Sequence, residues 1–208
     1  MEIDAKDNEF GITALYLASQ NGHTEIVELL ISTKNADVNI VDKKNNVTPL
    51  YLAAQSGHEA VVKLLLDNGA KVNGCDTSMN PLCIAIDNGH KKIVELLLSI
   101  EGINVNIGDK IGNTTLHIAA MKGNEKMARL LLEKDADPNI KNLSGDTPLQ
   151  IAEIIENSTV FMLEKDTNSV LLVKKGVKEL LSQHVKNNKP SSSVDKIDVS
   201  VQQSSKIR

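Results

Sequence analysis

Five short segments of the chain repeat one another at nearly constant spacing, and this restricts the fold more than any other feature. TALYLA begins at Thr13, TPLYLA at Thr48, NPLCIA at Asn80, TTLHIA at Thr114 and TPLQIA at Thr147, at intervals of 35, 32, 34 and 33 residues. A second element keeps step: GHTEIVELLI from Gly22, GHEAVVKLLL from Gly57, GHKKIVELLL from Gly89 and GNEKMARLLL from Gly123. A third, ADVN, AKVN, INVN and ADPN, closes four units at Asn39, Asn73, Asn106 and Asn139. A period of this size marks a solenoid, each unit being one supersecondary element stacked on its neighbours.

The residues of one unit specify a pair of helices. In TPLYLAAQSGH, Thr48 caps a helix whose first turn tolerates Pro49, because the amide that proline lacks would be unpaired there. Leu50, Ala53 and Ala54 share one face at helical spacing, and Gly57 supplies the left-handed residue that ends the helix. The next segment carries Val61, Val62, Leu64, Leu65 and Leu66, too apolar for a solvated surface. Two short helices cannot cover that surface alone, so each pair packs on the pairs before and after it. Burying one such leucine contributes about 1.5 to 3 kcal/mol, which over several units outweighs the weak intrinsic stability of short helices.

Composition narrows the function. Aromatic residues make up 2% of the chain and there is no Trp, so the core is built from Leu, Ile, Val and Ala. A formal net charge of -4 gives no broad basic footprint for nucleic acid. Cys75 and Cys83 are too few for a disulfide framework, which fits a reducing compartment. The acidic start MEIDAKDNEFG lacks the basic and apolar regions of a classical signal peptide, and no apolar run approaches the roughly 20 residues of a spanning helix. A cytoplasmic protein, not inserted in a membrane, is expected.

The three spaced motifs resemble the ankyrin repeat, with its Thr-Pro-Leu-His-x-Ala segment, Gly-His, apolar second helix and Asp-Val-Asn turn. The resemblance runs from about residue 3 to about residue 155. It implies an all-α fold: an α-solenoid of about five stacked ankyrin repeats, each a helix-turn-helix with a β-turn finger, closed by a C-terminal capping helix. Residues 1–166 are read as the array, 167–186 as the capping helix and 187–208 as a disordered tail. The Asn-, Lys- and Ile-rich composition is similar to that of ankyrin proteins of intracellular bacteria.

Departures from the pattern lie in the connectors and at both ends. The first unit carries extra residues around STKNADVNIVDKK, and the third finger, CDTSMNPL, lacks the turn glycine seen at Gly112 and Gly145. Ile3, Asp4 and Ala5 stand where Val38, Asn39 and Ile40 stand later, so the chain opens as if on the tail of a preceding unit. Beyond Ala152, Val170, Val173, Val177, Leu180, Leu181 and Val185 form one helical stripe, read as a long last helix that closes the stack.

The histidines and cysteines are the candidates for chemistry. His23, His58 and His90 occupy one position in successive units, about 10 Å apart, whereas zinc needs nitrogens near 2 Å from the metal. Asn124 takes the same position in the fourth unit, so the column reads as helix caps. His117 shares its position with Tyr16, Tyr51, Cys83 and Gln150, which points to packing; Cys83 reads as a small core residue. No nucleophile-base arrangement and no glycine-rich phosphate loop occurs at a useful spacing. The expectation is a non-catalytic protein without cofactor or metal.

The resemblance also implies where a partner sits: on the concave face made by the finger tips and the ends of the first helices. From the first unit these are Glu9, Phe10, Ile12, Gln20 and Asn21. The second gives Lys44, Asn45, Val47, Gln55 and Ser56, and the third Asp76, Thr77, Met79, Asp87 and Asn88. The fourth and fifth add Lys110, Ile111, Asn113, Met121, Lys122, Leu143, Ser144 and Asp146. Phe10, Ile12, Val47, Met79, Ile111 and Leu143 are apolar where turns are ordinarily polar, which favours a protein partner. The function expected is that of a monomeric protein-protein interaction module; the alternative is a structural stretch of a longer array with no partner of its own.

Overall fold

A computed structural model describes residues 3–7, 9–44, 46–74, 80–162 and 168–187. Among them are ten helices and no strand. The first helices of the units are α1 (Ala14–Gln20), α3 (Pro49–Ser56), α5 (Pro81–Asp87), α7 (Thr115–Met121) and α9 (Pro148–Met162). The second helices are α2 (Thr24–Lys34), α4 (Glu59–Asp67), α6 (Lys91–Leu98), α8 (Glu125–Glu133) and α10 (Asn168–Asn187). The first helices pack in chain order, α1 on α3, α3 on α5, α5 on α7 and α7 on α9. The second helices form the other layer, α2 on α4 and α4 on α6, with α10 against α8 and α9; α6 and α8 approach each other least.

The first helices α1, α3, α5 and α9 start on side-chain caps at Thr13, Thr48, Asn80 and Thr147. The Thr13 hydroxyl accepts the N–H of Tyr16 and that of Thr48 the N–H of Tyr51, both at 3.2 Å, while the Asn80 carboxamide oxygen accepts from Leu82 and Cys83. Gly57 ends α3 at φ 83°, a conformation that costs glycine little. Helices of 7 to 9 residues, such as α3 and α5 through α8, are marginal alone, so packing holds them. The packing runs in columns: Leu15, Leu50, Leu82 and Leu116 are buried, as are Ala18, Ala53, Ala85, Ala119 and Ala152, and Val27, Val62, Val94 and Ala128. Leu65, Leu97 and Leu131 have identical, complete burial, whereas Leu30 in the first unit is partly exposed.

Two ladders of hydrogen bonds tie the units together. Along the turns, Asn39 accepts the N–H of Lys71, Asn73 that of Asn104 and Asn106 that of Asp137, each at 2.8 Å. The same side chains donate to the carbonyls of Gly69, Gly102 and Asp135. Along the helix junctions, Nε2 of His58 lies 3.0 Å from the carbonyl of Gln20, and Nε2 of His90 lies 3.0 Å from that of Gln55. These histidines stand at N-cap positions but make no capping bond with their side chains. The reading of the column as caps therefore holds only for Asn124, whose side chain accepts the N–H of Met127. An imidazole is long enough to reach the preceding unit; the shorter carboxamide turns back onto its own helix.

The last helix closes the stack. Val177 and Leu181 are fully buried, and Leu180 and Val185 partly so; Val170 and Val173 precede the part of α10 whose side chains are described. Lys178 pairs with Glu156 of α9 at 2.7 Å, and this hydrogen bond raises the lysine's pKa above its usual value. The tail read as disordered lies outside the described residues, apart from Asn187 at the end of α10.

Candidate partner-binding groove

The fingers are built from Asp or Asn at their first residue. Asp7 accepts the N–H groups of Phe10 and Ile12, Asp42 that of Val47, Asp109 those of Ile111 and Asn113, and Asn142 those of Ser144 and Asp146. These side-chain-to-backbone bonds stabilise a turn in place of helix. At Asp7 the N–H of Ile12 foremost holds the carboxyl below its usual range. Neighbouring fingers join through the backbone: Lys43 N–H donates to the Phe10 carbonyl at 2.8 Å, and Leu143 N–H to that of Ile111 at 3.0 Å.

This arrangement pushes apolar side chains into solvent. Phe10, Ile111 and Leu143 are 37%, 59% and 79% exposed, and Lys44 Nζ stands 5.9 Å from the centre of the Phe10 ring. Glu9, Lys44, Lys110 and Ser144 are exposed on the tips, and Gln20, Asn21, Gln55, Ser56, Asp87, Asn88 and Lys122 at the ends of the first helices. Ile12, Met121 and Asp146 are partly buried.

Two of the predicted contact residues are not accessible. Val47 and Asn113 are 5% and 3% exposed. Both immediately precede a helix cap, a position from which the side chain folds back over the first turn. Asn113 is held there, accepting from the Asn142 carboxamide at 2.9 Å. Asn45, Asp76, Thr77 and Met79, like Cys75, lie outside the described residues.

Behind Ile111 the surface is concave. A groove of about 390 Å³ is lined by Tyr51, Asn80, Cys83, Ile84 and Asp87 of the second and third units and by Asp109, Lys110, Ile111, Asn113, Ile118 and Met121 of the fourth. It brings together Asp87, Lys110, Ile111 and Met121 as the sequence suggested, and adds Tyr51, Cys83, Ile84 and Ile118. One signal for Tyr51 and Cys83 was present in the chain: their column holds Tyr, Tyr, Cys, His and Gln, whereas the columns around it keep Leu, then Leu or Ile, then Ala. The Asp87 carboxylate meets Lys122 at 2.9 Å, a half-exposed pair worth little by itself.

The titratable groups here are structural. Burial pushes the Cys83 thiol up to about 12, and Sγ lies 3.5 Å from the Ile107 carbonyl, so no thiolate nucleophile is present at neutral pH. Tyr51 is likewise raised by burial. His117 is fully buried: Nδ1 accepts the N–H of Thr114 at 3.1 Å, which leaves the proton on Nε2, 2.9 Å from the Asp146 carbonyl. Burial lowers its pKa. Gln150 repeats half of this device, accepting the N–H of Thr147.

Repeated hairpins in two layers, with fingers overhanging a concave side, define a helical repeat protein. The family model described as Ankyrin repeats (3 copies) matches residues 1–76 and 72–142. The chain belongs to the ankyrin repeat family, whose members generally mediate protein-protein interaction and are generally non-catalytic. It is 39% identical over 62 residues to human Oxysterol-binding protein-related protein 1, covering 30% of this chain and 6% of that protein. It is 36% identical over 73 residues to Putative ankyrin repeat protein L271 of Acanthamoeba polyphaga mimivirus, covering 33% and 10%. With Putative ankyrin repeat protein FPV230 of Fowlpox virus it shares 42% identity over 52 residues, covering 25% and 28%. The chain thus spans less than a third of the length of each of these relatives. Among the described residues, no helix is long and apolar enough to cross a membrane.

Proposed function

We propose that the protein binds another protein on the concave face, along the finger tips and the groove behind Ile111. The observation that carries this reading is the exposure of Phe10, Ile111 and Leu143 on tips whose backbones are fixed by hydrogen bonds. Rigid apolar anchors beside a groove are what a protein hot spot engages. The face carries Asp87 and Asp109 beside Lys110 and Lys122, so the partner is recognised by shape and apolar contact more than by one sign of charge. Catalysis plays no part: the mechanism is presentation of a preformed surface, acting in the cytoplasm as a monomer, with residues 1–166 as the array and 167–186 as its cap.

The test is capture of partners by the wild-type chain and by a Phe10→Glu, Ile111→Glu, Leu143→Glu variant, read by mass spectrometry. The variant loses the proteins that the wild type retains while keeping its helix content; equal capture by both rejects the groove. A second reading, that the stack serves as one stretch of a longer array, rests on the exposed apolar side of α1 and α2.

A further inference from the structure

Between the third and fourth units the stack carries an open notch at a place where the two earlier junctions hold a ring. There the ring comes from the following unit: His58 lies on Gly22 with Nε2 3.0 Å from the Gln20 carbonyl, and His90 lies on Gly57 with Nε2 3.0 Å from the Gln55 carbonyl. A Cβ built on Gly22 would stand 2.5 Å from Nδ1 of His58. At the third junction the same place belongs to Gly89. Its φ of 76° falls between the 73° of Gly22 and the 83° of Gly57, yet a Cβ there would meet no atom within 4 Å. Gly89 is accordingly exposed, whereas Gly22 and Gly57 are half-buried.

The opening comes from one side chain and not from the backbone. Asn124 stands at the N-cap of α8 with φ -88° and ψ 84°, against -84° and 79° at His58 and -79° and 73° at His90. Its carboxamide serves its own helix, accepting the N–H of Met127 at 3.1 Å. The Asp87 carbonyl stands two residues before Gly89, as those of Gln20 and Gln55 stand before their glycines. It accepts no hydrogen bond among the described residues. The notch opens into a cleft of about 500 Å³ lined by Gly89 and Asn124, in which the carboxylates of Asp87 and Glu125 are matched by Lys122 and Lys126. The lining therefore selects by shape and hydrogen bonding and not by net charge.

We propose that this notch is a binding site for an imidazole ring from outside the chain, a histidine side chain of a protein partner, laid on Gly89 with one ring N–H donated to the Asp87 carbonyl. The chemistry follows from the two filled junctions. A flat ring fits because the left-handed glycine has no Cβ to hold it off, and a ring N–H is required because the group it meets is an acceptor. An aliphatic side chain would cover the glycine and shut water off the carbonyl without replacing it, at the cost of an unmade hydrogen bond. A hydroxyl or ammonium group would reach the carbonyl and leave the glycine bare. The cleft is larger than one ring, so the backbone that carries the ring can approach. Asp87, Asn88 and Lys122 belong to the ends of the first helices, which puts the notch beside the face proposed for the partner, but ring binding here goes beyond that reading and does not rest on it.

The test is a titration of the full chain with 4-methylimidazole, the histidine side chain cut at Cβ, at about pH 9, where the ring is neutral. Carbon-proton NMR spectra follow the α-protons of Gly89, Gly123 and Asn124. These shift saturably, with a dissociation constant on the order of 10 mM for so small a ligand, and NOEs join the ring protons to the Gly89 α-protons. N-acetyl-histidine methylamide, the same ring on a peptide backbone, binds within about threefold of that value. 1-Methylimidazole, which at this pH has no N–H to donate, binds about tenfold more weakly. Asn124→His, whose own ring takes the place, keeps a folded spectrum and loses the shifts. Shifts that do not saturate by about 100 mM, equal binding of 1-methylimidazole, or undiminished binding to Asn124→His each overturn the site. Exclusion of the blocked histidine while 4-methylimidazole binds overturns a partner's histidine as the occupant. None of these readouts involves Phe10, Ile111 or Leu143, so the groove and the notch fail separately.

Discussion

Nε2 of His90 lies 3.0 Å from the carbonyl of Gln55, 35 residues earlier in the chain, with its ring resting on Gly57. This contact couples two hairpins, and it sets two demands on Gly57: a left-handed backbone at φ 83°, and no side chain, since a Cβ there would stand 2.6 Å from the imidazole. Gly89 meets only the first demand: its φ is 76°, and a Cβ there would have no atom within 4 Å, because Asn124 replaces the next histidine.

Gly57→Ala is therefore expected to destabilise the protein more than Gly89→Ala. Both incur about 1 kcal/mol of left-handed strain, and only the first also dislodges an imidazole and its hydrogen bond, a further cost of about 1 kcal/mol. In a His90→Ala background the two alanine variants become equal, which urea unfolding of the double-mutant cycle measures.

Asn124→His is expected to strengthen the seam between the third and fourth units. There α6 and α8 approach least, and an open cleft of about 500 Å³ is lined by Gly89, Asn124 and Glu125 among others. The loss of the cap on Met127 costs about 1 kcal/mol. A new bond to the Asp87 carbonyl offsets it, and covering the cleft leaves a net gain of about 1 kcal/mol. A raised urea midpoint, abolished by adding Gly89→Ala, is the outcome to look for.

Stability falls with acid in a way that His117 controls. Burial lowers its folded pKa below the ordinary 6.5, so from about that pH downward the unfolded chain binds the extra proton first and stability declines until the folded pKa is reached. A proton on Nδ1 would face the N–H of Thr114. His117→Gln, which keeps an acceptor there as Gln150 does, costs about 1 kcal/mol near neutrality and flattens this part of the profile. Unfolding of both proteins between about pH 8 and pH 5 measures the difference.

The finger residues separate into two classes by stability. Ile111→Glu and Leu143→Glu change it by less than about 0.5 kcal/mol, as exposed substitutions do. Val47→Glu, which buries a charge without a partner, destabilises by about 3 kcal/mol or more. Thermal melts of the three single variants are sufficient.

What the sequence conveyed was whatever repeats within one unit. The leucine, alanine and valine columns, the threonine caps and the glycine ends follow from local spacing, and the hairpins formed on them. Contacts between units were less legible. A histidine after glycine reads as a cap until the stack brings the carbonyl of the preceding unit within reach of Nε2. Val47 and Asn113 belong to turns by sequence, but the geometry just before a cap turns them inward. Tyr51, Cys83, Ile84 and Ile118 become a groove only when three first helices lie side by side.

The most direct measurement is a proton-proton NOE spectrum of the histidine rings. Stacked hairpins predict strong cross-peaks from the His58 ring to the Gly22 α-protons and from the His90 ring to those of Gly57, with none between Asn124 and Gly89. Histidine rings showing contacts only within their own hairpins would contradict the stacked arrangement on which the groove and the notch at Gly89 both depend.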